Sequence, residues 1–153
     1  MLGRQRQGGL ARWPAEVLEN RPAAAAAVLR MLSRARRRAA PLLLLALEVE
    51  VEGRGTPGAV RVSRWLERVT ADLRLHDLCW WDGEVGAFLL LLEDAAGGAG
   101  IEERLRRHAR ECGTWLRLRQ ARFPSQGATL GALLGALAAG GREARAAVWQ
   151  EAS

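Results

Sequence analysis

The sequence predicts one layered α/β domain, a central sheet covered by helices and containing at least one local hairpin. Three observations predict it. Segments with apolar residues at helical spacing alternate along the chain with short apolar runs of strand character, in the order helix, strand, helix, strand, strand, helix, strand, helix. Two of those runs are joined by a short glycine-bearing stretch, as a hairpin requires. Finally, 153 residues are enough to bury one substantial core and too few for two.

Each element has its own signature. From Pro22 to Arg38 the chain is Ala-rich, Val28, Leu29, Met31, Leu32 and Ala35 form a helical stripe, and Pro41 closes it. Leu42 to Val51 begins as a continuous apolar run and turns into Glu-Val alternation, a buried central strand whose far end emerges into solvent. Gly53, Gly55, Pro57 and Gly58 predict a loop. Val62, Trp65, Leu66, Val69 and Leu73 predict a second helix that leads to Arg74. Asp77 to Trp81 and Ala87 to Leu92 read as two strands joined by Asp82-Gly83-Glu84-Val85-Gly86. After a loop from Glu93 to Gly100, Ile101, Leu105, His108 and Cys112 line a third helix whose other sides carry Arg104, Arg106, Arg107 and Arg110. Thr114 to Arg122 is a strand with Phe123 to Gly127 as its exit turn, and Leu130, Leu133, Leu134 and Leu137 stripe a last helix stopped at Gly140-Gly141.

Composition narrows the function classes. The chain is 49% hydrophobic and 26% charged, as a folded globular protein is. No stretch reaches the roughly 18 uninterrupted apolar residues of a membrane span, and Met1 to Gln7 lacks the apolar core of a signal peptide, so a cytoplasmic location is expected. Cys79 and Cys112 are too few for a disulfide framework and lack metal-ligand spacing, which predicts buried free thiols. The net charge of +6 is carried by arginine alone, since the chain contains no lysine. The guanidinium fork suits phosphate and guanine edges. The arginines are nevertheless spread over several elements with acids between them, so nucleic acid is not expected as a partner. No Ser-His-Asp order, metal cluster or phosphate-binding glycine loop is present, so no catalytic and no metal-ligating residue is assigned. His108 falls on an apolar stripe and reads as a core or edge residue, and His76 as an exposed loop residue. Alternation sends one of Trp80 and Trp81 to the core and the other outward.

Several local motifs succeed one another in an order that resembles the GGDEF domain of diguanylate cyclases, over about Leu18 to Arg142. Leu18-Glu-Asn-Arg21 is similar to the family's L-x-N-R opening, and Arg34-Ala-Arg-Arg-Arg-Ala-Ala-Pro41 to its basic helix end. Arg74-Leu-His-Asp77 resembles the R-x-x-D product-binding motif, Phe88 to Asp94 the strand after the signature, and Arg119 to Pro124 the last strand. The resemblance implies a nucleotide-cyclase-like fold with a mostly antiparallel mixed sheet, spanning residues 16–142 between a flexible tail (1–15) and a C-terminal helical tail (143–153).

The departures bear on activity. Where the family has G-G-[DE]-E-F, this chain has Gly83-Glu-Val-Gly-Ala-Phe88, one residue longer and without the second acid. The metal-binding D-x-D-x-F strand is Glu48-Val-Glu-Val51, and glutamate reaches one methylene farther. Gly53 to Val60 replaces the segment that contacts the guanine base, and the family's closing A-D-x-A-L-Y-x-A-K segment is missing. The resemblance therefore implies a catalytically inactive domain that acts as a cyclic di-GMP receptor and relays the signal to a protein partner. The arginine of the R-x-x-D motif can donate bidentately to O6 and N7 of guanine, and its carboxylate can accept from N1 and N2. Arg74, Asp77 and Arg104 are the expected ligand site, with Arg107 the alternative to Arg104. The ligand is expected to need no cofactor and to bind as an intercalated dimer, with a protein partner or a homodimer completing the relay. The alternative is a protein-interaction or dimerisation module that has lost nucleotide binding, its Arg74–Asp77 a surface pair worth about 0 to 1 kcal/mol.

Overall fold

A computed structural model describes residues 17–18, 21–51, 56–74, 76–93 and 99–140. The expected tails, 1–15 and 143–153, lie outside the described residues. The elements are β1 (Val17–Leu18), α1 (Arg21–Arg38), β2 (Leu42–Val51), α2 (Thr56–Ala71), β3 (Leu78–Asp82), β4 (Ala87–Glu93), α3 (Ala99–Glu111), β5 (Thr114–Phe123) and α4 (residues 130–140). The sheet runs β1-β3-β4-β2-β5, parallel between β1 and β3 and antiparallel elsewhere. It is the mixed, mostly antiparallel sheet expected.

Both faces of the sheet are covered. On one, Leu42, Leu44, Ala46, Trp80, Leu89, Leu91 and Phe123 pack with Val28, Met31 and Leu32 of α1 and with Leu133 and Leu137 of α4. On the other, Leu43, Leu45, Leu47, Cys79, Phe88 and Leu90 pack with Trp65, Leu66 and Val69 of α2 and with Leu105 and Ala109 of α3. A strand buried on both faces reads as an unbroken apolar run, which is why Leu42 to Leu47 shows no alternation. For the same reason Trp81 does not face solvent. Successive side chains do point to opposite faces, but each face meets a helix layer, so Trp80 and Trp81 are both buried in separate halves of the core. The two cysteines are buried free thiols, as expected.

Helix and strand ends correct the expected boundaries. α2 starts at Thr56, inside the segment expected to be a loop. Pro57 falls in its first turn, where a missing N–H costs no helical hydrogen bond. α3 likewise begins at Ala99 rather than Ile101, and Glu93 and Asp82 are strand residues. β1, two residues long, carries no periodicity and was not expected. α1 ends with Ala39 in the left-handed region (φ 52) and the Ala40 amide donating to the Ala35 carbonyl at 3.0 Å, a helix stop normally built on glycine. The Thr129 hydroxyl accepts from the Ala132 amide at 3.1 Å and caps α4.

Candidate functional site

Two groups of polar side chains stand out, one at the hairpin end of the sheet and one where α2 meets α3. At the hairpin, Asp82 ends β3 opposite Ala87, and its carbonyl accepts from the Gly86 amide at 2.8 Å, with Gly86 at φ 75. The Asp82 carboxylate is wholly buried and fully bonded. Arg21, the first residue of α1, donates Nε to Oδ2 at 2.6 Å and Nη2 to Oδ1 at 3.0 Å. The amides of Glu84 (3.1 Å) and Val85 (3.0 Å) also donate to it, and Trp80 Nε1 approaches at 3.4 Å. Burial by itself pushes this carboxyl up, but the Arg21 hydrogen bonds and charge and the Val85 amide outweigh it, leaving it below the ordinary carboxylate range. Arg21 also reaches Glu84 at 2.8 Å, so one guanidinium ties the helix start to both acids of the hairpin.

Beside the hairpin, the last residues of β2 emerge from under the helices. Glu48 is paired with Arg119 of β5 at 2.9 Å, both about four-fifths buried, and Glu50 with Arg117 at 3.3 Å. Each pair is diagonal across the ladder, because Glu48 stands directly opposite Arg117 and Glu50 opposite Trp115. The Arg119 guanidinium thus engages one carboxylate oxygen of Glu48. Among the described residues no three of His, Cys, Asp and Glu converge, so this donor set does not fit a metal pair.

On the other side of the sheet, α2 and α3 run antiparallel, shown by two contacts. Arg68 pairs with Glu111, and His108 Nε2 meets Asp72 Oδ2 at 2.6 Å. His108 is therefore an edge residue held by an acid, with its buried Nδ1 left without a partner. Past α2, Arg74 and Asp77 are tied together: Asp77 N–H donates to the Arg74 carbonyl at 3.0 Å and Asp77 Oδ2 accepts from the Arg74 main-chain amide at 2.8 Å. The surface ion pair of the alternative reading is thus replaced by a carboxylate-to-amide bond. Burial lifts the Asp77 carboxyl above its ordinary range, partly offset by the amides of Arg74 and Glu93 and by the Arg74 charge. The Arg74 guanidinium is exposed, as are His76, Arg104 and Arg107. Among the described residues neither Arg74 nor Arg104 forms a side-chain ion pair.

Sequence reasoning missed the partners of Asp82 and Glu48. Asp followed by Gly at a strand exit is an Asx-turn signature that marks Asp82, whereas Arg119 becomes visible only once the β2–β5 register is known.

The fold is that of a nucleotide-cyclase-like α/β domain. No protein-family model matches the chain, and no curated protein matches it in sequence. Solved structures do match in shape, and they identify the fold as that of GGDEF domains. The GGDEF domain of TpbB (YfiN) from Pseudomonas aeruginosa is 22% identical with a TM-score of 0.67, covering 82% of this chain and 86% of that one. The diguanylate cyclase SiaD from the same organism, solved with its activator SiaC, is 19% identical with a TM-score of 0.70 over 94% of this chain and 63% of that one. The coiled coil and GGDEF domain of DgcB from Caulobacter crescentus, solved with c-di-GMP, is 12% identical with a TM-score of 0.63, covering 89% and 83%.

Proposed function

We propose that this chain is a GGDEF-fold receptor that binds cyclic di-GMP through Arg74, Asp77 and Arg104, makes no product from GTP, and passes the signal to a protein partner in the cytoplasm. The observation that carries the reading is the direction of the α2–α3 contacts. From Arg68–Glu111 to Asp72–His108 the pairing advances four residues, from α2 to the residue just past its end, and retreats three on α3. Arg74 follows two residues after Asp72, and Arg104 lies one turn before His108 on α3; both side chains are exposed, and among the described residues neither forms a side-chain ion pair. Such a pair suits a ligand carrying two phosphates and two guanines. The Asp77 carboxylate meets the Arg74 and Glu93 amides, and its roughly four lone-pair sites leave acceptor capacity for the N1 and N2 hydrogens of a guanine. Arg107, one turn on, is the alternative third ligand. Two intercalated ligand molecules would engage these arginines together, as phosphate and guanine contacts in turn.

Loss of catalysis is supported at the other end of the sheet. Glu48 is neutralised by Arg119, Asp82 is consumed by Arg21 and the hairpin amides, and Glu84 is tied to Arg21. Among the described residues each of these carboxylates already has a guanidinium partner, which works against its holding an ion or taking a proton from an attacking hydroxyl. This chain has the fold of proteins solved with c-di-GMP, and the nucleotide is assigned to it on that basis together with its own arginines.

Calorimetric titration with cyclic di-GMP tests the receptor. Binding in the micromolar range is expected, weakened about tenfold or more in Arg74→Ala, the loss of one charged hydrogen-bonding group. No heat at tens of micromolar ligand, or unchanged binding in the variant, would overturn the reading. Product from GTP with Mg²⁺ or Mn²⁺ would overturn the inactive half alone.

A further inference from the structure

We propose that the outer face of α1 is a docking surface for an acidic amphipathic helix of a protein partner. α1 contains six arginines and no acid. Arg21 is spent on the hairpin, and Arg36 leans over Phe123 and donates to the Ala128 carbonyl. Arg30, Arg34, Arg37 and Arg38 have no acidic partner among the described residues, whereas Arg68, Arg110, Arg117 and Arg119 on other elements each have one. Arg30, Arg34 and Arg37 are spaced i, i+4, i+7 and so form one stripe along the helix. Compensation of the helix dipole explains basic residues in the last turn, Arg36 to Arg38, but fades beyond it and leaves Arg30 and Arg34 unexplained.

Beside this stripe the helix is apolar and exposed. Pro22, Ala23, Ala26 and Leu29 all face solvent, and Leu29, 62% exposed, is one of three exposed large apolar residues among the described ones. Small residues around one leucine let a second helix approach closely, and arginine beside an apolar anchor is the composition of protein interfaces. The stripe and apolar patch together run about 24 Å, the length of a helix of roughly 16 residues. A phosphate backbone has no use for the exposed apolar half, and a lipid surface needs more than a single large apolar side chain. A partner helix with its own apolar stripe and acids at matching spacing satisfies both halves.

This surface lies on the face of the sheet opposite Arg74 and α3. It supplies the partner contact of the proposed function without requiring the nucleotide. The test places the photo-crosslinker p-benzoylphenylalanine at Leu29 in the full chain, in the cells that produce it. The expected product is a cross-link to another protein, within a segment bearing acids at helical spacing. A synthetic peptide of that segment should bind the purified chain, lose about tenfold or more affinity in R30E/R34E/R37E, and regain it when its facing acids become arginines. R30Q/R34Q/R37Q replaces the reversal if circular dichroism shows the latter unfolded. Cross-links to lipid, to nucleic acid or within the same chain, no cross-link, or a peptide indifferent to the substitutions would each overturn the proposal. Arg74→Ala should leave the cross-link intact while weakening cyclic di-GMP binding, so that either failure is recognised separately.

Discussion

Replacing Arg21 with methionine keeps an unbranched stem on α1 and removes the guanidinium from Asp82. The carboxylate would remain wholly buried with two amides and a distant indole as its donors. Deleting one partner of a buried ion pair costs roughly 3–5 kcal/mol. Because Arg21 is 28% exposed and the amides stay, the expected loss is about 2–4 kcal/mol. In a chain of this length each kcal/mol moves Tm by about 2–4 °C, which predicts a fall of about 5–15 °C. The loss should depend on pH. The folded Asp82 carboxyl titrates below its unfolded value of about 3.9, so its pairing contributes fully above that value and is lost as pH falls through the folded one. In Arg21→Met, burial dominates and pushes the carboxyl up. The gap between the two proteins is therefore widest near pH 7 and closes toward pH 3. Urea unfolding at both pH values measures it. In an Asp82→Asn background Arg21→Met should cost far less, since no charge is then stranded. A loss under about 0.5 kcal/mol at pH 7, or an equal loss at both pH values, would refute this account of the hairpin.

Ala39→Gly should stabilise the protein by about 0.5–1 kcal/mol in denaturant titration, because glycine removes the Cβ clash at φ 52 and sacrifices part of the gain to unfolded-chain freedom. Gly127→Ala should destabilise by roughly 1–3 kcal/mol, since its Cβ would stand 2.8 Å from the Leu133 amide and 2.9 Å from the Ala132 carbonyl carbon, backbone that cannot yield like a side chain. The Cys79 thiol, pushed up to about 12 by burial, should resist thiol reagents at pH 8 until the protein unfolds; rapid modification of folded protein would contradict its place in the core.

The apolar patterns made most of the fold legible. Leu42 to Leu47 announced a strand covered on both sides, and Trp65, Leu66 and Val69 announced the helix that covers one of them. The misjudged points have different causes, one across the sheet and one at a helix start. Trp81 looks like an outward residue until a second helix layer is known to exist. Pro57 looks like a loop residue until a helix is known to start there. The site was legible in part. Arg74 and Asp77 do form one local unit, but the use of the carboxylate on a main-chain amide rather than a guanidinium is a matter of backbone geometry. The fate of Glu48 was set by Arg119, far away along the chain, and no local pattern carries that information.

β2 owes all its sheet hydrogen bonding to strands that come much later in the chain, β4 on one edge and β5 on the other. During synthesis its six consecutive buried residues emerge well before either neighbour and present two sticky faces and two open edges at once. The β3–β4 hairpin can form locally and close one edge, yet the second stays open until residues 114–123 arrive. A product truncated at Gly113 would keep every helix of one layer and still lack the strand that seals the sheet. Such a fragment would be expected to self-associate along β2, so the integrity of the whole domain rests on its last strand.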